Sequence, residues 1–249
     1  MWQKIYLLTG ANRGIGLGLL KILISREHTL VIAGVRDPDS ASAKALLDLP
    51  TAGSCTKVIL SKIEVSSQES IKAAVKKLTE EDGIERIDVL ISNAGIANYY
   101  GPAAITPLKE VREHFEVNAV GTLSLFQETW PLLEKSERPV FMALSTGVGS
   151  IGDMESMPLK STAYGASKAA LNYMMRKIHL EYPNLIAFPI SPGWVQTEMG
   201  NHGAKSHGME TAPTTLDECV AGVIGKLDGA TREETSGNFI SYDDTKFGW

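Results

Sequence analysis

Predominantly apolar runs recur along this chain, separated by longer stretches of mixed polarity. The runs lie at residues 5–8, 29–35, 57–62, 87–92, 140–144 and 185–190. A run without polar alternation suits a strand buried on both faces, as in a parallel sheet. The stretches between them, at 17–24, 40–49, 66–82, 108–134, 163–181 and 215–227, read as helices. Two begin with capping boxes, Ser66-x-x-Glu69 and Thr215-x-x-Glu218. Pro38 stops the second strand, and Pro131 lies near the end of the long helix at 108–134. Residues 237–242 read as a last edge strand. Residues 198–215, polar and broken by glycine and proline, read as a mobile loop. Strand and helix thus alternate from end to end, which predicts an α/β fold: one doubly wound domain over 1–249, with a mainly parallel sheet of about seven strands.

The chemistry-bearing residues lie just past the carboxyl ends of the predicted strands, where an open α/β sheet forms its ligand crevice. After the first strand comes Thr9-Gly10-Ala11-Asn12-Arg13-Gly14-Ile15-Gly16. Strand, glycine-rich turn and helix in that order make a nucleotide cradle. Gly10 permits the tight turn, and Gly14 and Gly16 remove side chains that would keep a pyrophosphate from the backbone. N–H groups of the helix's first turn then face the phosphates. This is the Rossmann-type arrangement. Further on, Tyr164 and Lys168 stand at i and i+4, on one face of a helix. A lysine cation beside a phenol lowers the phenol's pKa, so that Tyr164 can exchange a proton with a carbonyl or alcohol oxygen.

The glycine spacing T-G-x-x-x-G-x-G, Asn93-Ala94-Gly95, Asn118 within Val117-Asn118-Ala119-Val120-Gly121, the Tyr164/Lys168 pair, and Pro192-Gly193 through Thr197 together resemble the short-chain dehydrogenase/reductase family. The resemblance covers nearly the whole chain. Within the family it is similar to the fungal norsolorinic acid ketoreductase-like and sniffer-type carbonyl reductase branches, on overall texture and on the tail from Tyr242-Asp243 to Trp249. It implies hydride transfer between a nicotinamide and a carbonyl or alcohol carbon. Tyr164 would be the general acid. Lys168 would bond the nicotinamide ribose and tune Tyr164, and Asn118 would hold a water leading from Lys168 to solvent. Cofactor contacts would come from Gly10, Asn12, Arg13, Gly14, Ile15 and Gly16, and from Arg36. Glu64 stands where the family commonly has an Asp against the adenine, followed by Val65. Asn93, with Ala94 and Gly95, would bond the adenosine ribose or neighbouring backbone. Pro192, Gly193, Val195 and Thr197 would grip the nicotinamide end. The family also places a serine past the fifth strand, with a glycine three residues on. Gly149 puts that place at Thr146, with Ser145 as the alternative.

Cofactor choice follows from charge. An NAD enzyme wants a carboxylate just past the second strand, and this chain has Val35 and Arg36 there. Arg13 is expected to project to the same side, and two guanidiniums would grip a 2′-phosphate. Asp37 is the one opposing charge. NADP(H) is therefore the expected cofactor. The expected reaction is NADPH-dependent reduction of a ketone or aldehyde, with an NAD-dependent alcohol dehydrogenase and a non-redox cofactor-binding or cyclase protein as rivals.

Composition narrows the partners. The 249 residues carry a net charge of −5, which argues against nucleic acid. No apolar run reaches bilayer length, and Met1–Leu8 is too short for a signal peptide. The two cysteines, Cys55 and Cys219, match no metal or redox spacing. A cytoplasmic protein acting on a small-molecule carbonyl is expected, and the resemblance implies a homodimer or homotetramer. His202 and His207, with Glu198 and Glu210 nearby, read as solvated loop residues rather than a metal site. Trp194, Tyr99 and Tyr100 either line a pocket for a flat, apolar substrate or pack at the crevice rim. Leu123, Phe126 and Trp130 read as core or subunit interface. The loop at 198–215 directly follows the nicotinamide-gripping segment and is expected to close over substrate as a lid.

Overall fold

The computed structural model describes residues 4–249. Met1 to Gln3, the start of the segment judged too short for a leader, lie outside the described residues. Seven strands form one sheet: β1 (Lys4–Thr9), β2 (Thr29–Val35), β3 (Lys57–Lys62), β4 (Val89–Ser92), β5 (Val140–Leu144), β6 (Ile186–Ser191) and β7 (Ile240–Ser241). They run in the order β3-β2-β1-β4-β5-β6-β7, and every pairing is parallel. The order reverses between β1 and β4, so the crevice lies above their carboxyl ends.

Helices α1 (Gly14–Ile24), α2 (Ala41–Lys44), α3 (Gln68–Glu80), α4 (Leu108–Phe115), α5 (Gly121–Leu133), α6 (Thr162–Glu181), α7 (Glu198–Ser206) and α8 (Leu216–Asp228) cover the sheet. One face of the sheet buries Leu19, Leu23, Val223 and Leu227 of α1 and α8 against Leu8, Val31 and Ile91. The other buries Leu78, Leu125, Phe126 and Leu171 of α3, α5 and α6 against Leu7, Ile32 and Phe141. Neighbouring strand residues serve opposite cores, which explains the absence of polar alternation in β1 and β2.

Three expectations need correction. First, the helix at 66–82 is capped by Ser67, whose hydroxyl accepts from Ser70 N–H. Ser66 instead donates to the Glu64 carboxylate, at 2.9 Å, so the capping box at Ser66 does not form. Second, 108–134 is not one α-helix. Between α4 and α5 lies one π-helical turn, Glu116–Val120, where an extra residue lets Gly121 come against the Val65 carbonyl. A Cβ on Gly121 would stand 2.3 Å from that oxygen. Third, 198–215 is not a loop throughout. Thr197 caps α7 by accepting from Gly200 N–H at 3.0 Å. The glycines there serve close packing: a Cβ on Gly200 would lie 1.9 Å from the Val195 carbonyl, and one on Gly203 would lie 2.7 Å from the Tyr100 hydroxyl. By contrast, Thr215 and Glu218 do form the capping box of α8. No helix among the described residues is long and apolar enough to cross a membrane.

Candidate active site

The glycine turn after β1 has the shape of an anion cradle. Gly10 and Gly14 adopt φ of +67° and +53°, a region that side chains disfavour. A Cβ on Gly16 would stand 2.2 Å from the Gly10 carbonyl. Arg13 occupies the N-cap of α1 without a side-chain capping bond, leaving the first-turn N–H groups to a ligand. Ile15 packs against the core behind the turn. These features fit a dinucleotide's pyrophosphate.

Asn93 holds this turn in place. Its side-chain amide donates to the carbonyls of Thr9 and Gly10, at 2.8 and 3.2 Å. The backbone N–H groups of Asn93 and Ala94 both reach the Thr9 hydroxyl at 3.1 Å. Of the two roles considered for Asn93, this geometry serves the bonding of neighbouring backbone. Gly95 is required by closeness to Asn118, whose Oδ1 would lie 2.9 Å from a Cβ there. Asn12 donates to Ser42 at 2.9 Å, toward the side where Arg36 stands exposed past β2. Arg13 does not join Arg36. Its guanidinium pairs with Glu198 at 3.1 Å, at the start of α7, past β6 and so across the crevice from β2. Both partners are well exposed, so the pair contributes little stability. Val65 is buried at the start of the crossover that follows β3.

Past β5, adjacent hydroxyls point opposite ways. Ser145 is buried, and its hydroxyl donates to Asn172 Oδ1 at 2.5 Å, into the body of the protein. Thr146 is part-exposed; its hydroxyl accepts from Val148 N–H at 3.3 Å and lies near enough to the Tyr164 phenol to influence its titration. Tyr164 and Lys168 share one face of α6, with the ammonium 5.9 Å from the phenol ring centre. Lys168 does not reach the hydroxyl; its Nζ donates to the Leu144 carbonyl at 2.6 Å. Burial lowers the Lys168 pKa to about 8. The Tyr164 pKa is raised, by desolvation first and then by nearby Tyr100, against a smaller opposing effect of the Thr146 hydroxyl. The expected lowering by Lys168 is therefore not what this geometry produces: desolvation outweighs a cation that faces away. A raised pKa keeps the phenol protonated, as a proton donor must be.

Asn118 sits in the π turn and is fully buried. Its Oδ1 accepts from Ile96 N–H at 2.8 Å, and its Nδ2 donates to the Ile96 carbonyl and to Ser167, at 2.9 and 3.0 Å. The side chain thus ties the segment after β4 to α6. One residue escaped the sequence reading: His114, fully buried on α4. Its Nε2 accepts from Asn98 N–H at 3.1 Å, and its ring lies edge-on to Tyr164 with centres 6.4 Å apart. A single histidine in a charged helix gives no signal of this in sequence.

Past β6, Pro192 is buried and Gly193 has φ of +82°, with the Tyr242 ring 2.7 Å from where a Cβ would be. Val195 is buried and Thr197 caps α7 beside Gly14. Tyr100 lies against His202 and His207, and Trp194 against His207. His207 also accepts from Lys160 N–H at 3.2 Å. These rings join α7 to the crevice rim. Among the described residues there is no cluster of three or more potential metal ligands.

Comparison with known proteins agrees with this geometry. Residues 4–207 match the short chain dehydrogenase family. The chain is 42% identical over 247 residues to the norsolorinic acid ketoreductase of Dothistroma septosporum, covering 97% of this chain and 91% of that one. It is 39% identical over 246 residues to the norsolorinic acid ketoreductase of Aspergillus parasiticus, covering 97% and 89%. Its fold is similar to that of NADPH-bound carbonyl reductase from chicken fatty liver, with a TM-score of 0.86, 29% identity and 100% of both chains covered. The carbonyl reductase Sniffer of D. melanogaster is also similar, at a TM-score of 0.84, 25% identity and 100% coverage of both chains. The chain belongs to the short-chain dehydrogenase family.

Proposed function

We propose that this protein reduces a ketone or aldehyde to an alcohol with NADPH, on an aromatic or polyketide-like substrate of secondary metabolism. The observation that carries the reading is the convergence of Tyr164 and buried Lys168 on one face of α6, with Thr146 near the phenol, on a sheet whose first strand leads into the glycine cradle. The two norsolorinic acid ketoreductases support the substrate class. The nicotinamide, when bound, supplies the hydride. Tyr164 gives its proton to the carbonyl oxygen, and Thr146 donates to the charge that develops there. Lys168 would bond the nicotinamide ribose from its buried place beneath Tyr164. Oxidation of NADPH against a panel of aromatic and aliphatic ketones tests the reading directly. Acceleration of a ring closure without NADPH oxidation would overturn it in favour of the non-redox rival.

NADPH should be preferred over NADH by several tens-fold in kcat/KM, about 2 kcal/mol. Arg36 carries this expectation, since Val35 takes the place a ribose-binding carboxylate would need and is buried. Arg13 contributes only if it leaves Glu198. Arg36→Ala should raise the KM for NADPH and leave that for NADH nearly unchanged. Equal use of both cofactors by the wild type would count against this.

The segment at 198–215 is proposed as the lid, now with α7 as its rigid part. Protease cleavage within 200–208 should slow when NADP and a substrate analogue are added, and an unchanged rate would argue against closure. A cytoplasmic homodimer or homotetramer completes the proposal. Two free cysteines suit a reducing compartment, and Tyr173 and Leu180 leave an apolar stripe exposed on α6.

A further inference from the structure

The tail from Tyr242 to Trp249 packs back onto the body of the protein. After β7 the chain turns at Asp243 and Asp244. Asp243 accepts from the Ser241 hydroxyl and from Thr245 N–H, at 2.7 and 3.2 Å. Asp244 has φ of +69° and pairs with Lys226. The tail then crosses onto the segment that leaves β5.

Its contacts there are specific. Gly152 N–H donates to the Trp249 carbonyl at 2.8 Å. Gly248 N–H donates to Asp153 Oδ2 at 2.6 Å. The Ser150 hydroxyl, fully buried, lies 2.8 Å from the Gly248 carbonyl and 3.0 Å from the same Asp153 oxygen. The Phe247 ring stacks on Phe239 of the body, with centres 5.1 Å apart. Its far edge faces Gly147, where a Cβ would be 2.8 Å away. The Arg176 guanidinium lies 5.6 Å from the Trp249 ring centre.

Gly147 directly follows Thr146. The tight turn 146–150 closes with Gly149 N–H on the Thr146 carbonyl and Ser150 N–H on the Gly147 carbonyl, at 2.9 and 2.8 Å. On one side Gly149 abuts Lys168 of α6; on the other, Gly147 abuts Phe247 and Met157. The turn is clamped between the proton-donor helix and the tail. We propose that residues 243–249 form a strap that holds this turn, and with it the Thr146 hydroxyl, in register with Tyr164. Asp153 and Phe247 are then positioning residues, and the inference rests on the assignment of Thr146 made above.

The test is a double-mutant cycle. Phe247→Ala and Asp153→Ala should each lower kcat about 10-fold, as small misplacements of a reacting group do. The Kd for NADPH, read by cofactor fluorescence, should stay unchanged. Asp153→Asn keeps an acceptor for Gly248 N–H and should retain most of the rate. In a Thr146→Val background, Phe247→Ala and Asp153→Ala should cost less than about 2-fold more. Wild-type kcat in both strap variants overturns the strap. So does a full further loss in the Thr146→Val background, or an NADPH Kd that worsens in step with kcat. A loss in Asp153→Asn equal to that in Asp153→Ala overturns it too. Failure of the underlying assignment shows elsewhere: Thr146→Val alone would then keep the wild-type rate.

Discussion

Tyr164→Phe should lower kcat by at least about 100-fold while NADPH still binds. The substitution removes one hydroxyl and keeps the ring that packs against His114. No other side chain described at this point of the crevice is placed to give its proton to the carbonyl: Thr146 is a poor acid, and Lys168 is turned to the Leu144 carbonyl. Lys168→Ala should harm both turnover and cofactor binding, as its proposed bond to the nicotinamide ribose requires. Burial sets the Lys168 pKa at about 8 and raises that of Tyr164. As pH rises through about 8, Lys168 loses its charge first while the phenol keeps its proton. Reductive kcat should therefore decline on the alkaline side through loss of the lysine cation. A Tyr164→Phe protein with most of its activity would sink the proton-donor assignment.

Thr146→Val should also lose roughly 100-fold in kcat, the scale for removing one donor to a developing oxyanion. Valine keeps the branched shape, so the turn 146–150 should survive with only its Thr146–Val148 bond lost, 3.3 Å long in the wild type. Thr146→Ser should remain active, since it keeps the donor and drops only a methyl. Ser145→Ala should be mild in catalysis. Its hydroxyl faces Asn172 inside the protein, so any cost should appear in thermal stability, about 1–3 kcal/mol for leaving the buried Asn172 oxygen without that donor. Steady-state kinetics on these three variants decides the matter. The reverse pattern would give the role to Ser145.

Much of this arrangement was legible in the chain. The strands β2 and β5 lie where the apolar runs end and begin, because a strand buried on both faces leaves sharp compositional edges; β3, at the sheet edge and only partly buried, also keeps its expected bounds. The glycine turn and the i, i+4 spacing of Tyr164 and Lys168 are local, and local geometry is what sequence encodes most directly. Besides His114 and the π turn, three things were not legible. The direction of Arg13 depends on Glu198, far away in sequence and brought near only by the fold. The glycines at 200 and 203 resembled flexible punctuation, yet they answer to Val195 and Tyr100 pressing on α7. The electrostatics at Tyr164 turned on where the Lys168 ammonium points, which spacing alone leaves open.

The π turn at Glu116–Val120 also acts as a counting device. It holds one residue more than an α-helical path of the same rise would need. Deleting a single residue there would fuse α4 and α5 into a more regular rod. The flanking helices would keep nearly the same path, and what would go is the widened turn itself. Asn118 would then lose its place between Ile96 and Ser167, and Gly121 its approach to the Val65 carbonyl. The more regular helix would be the wrong one: the extra residue exchanges helical regularity for these two placements.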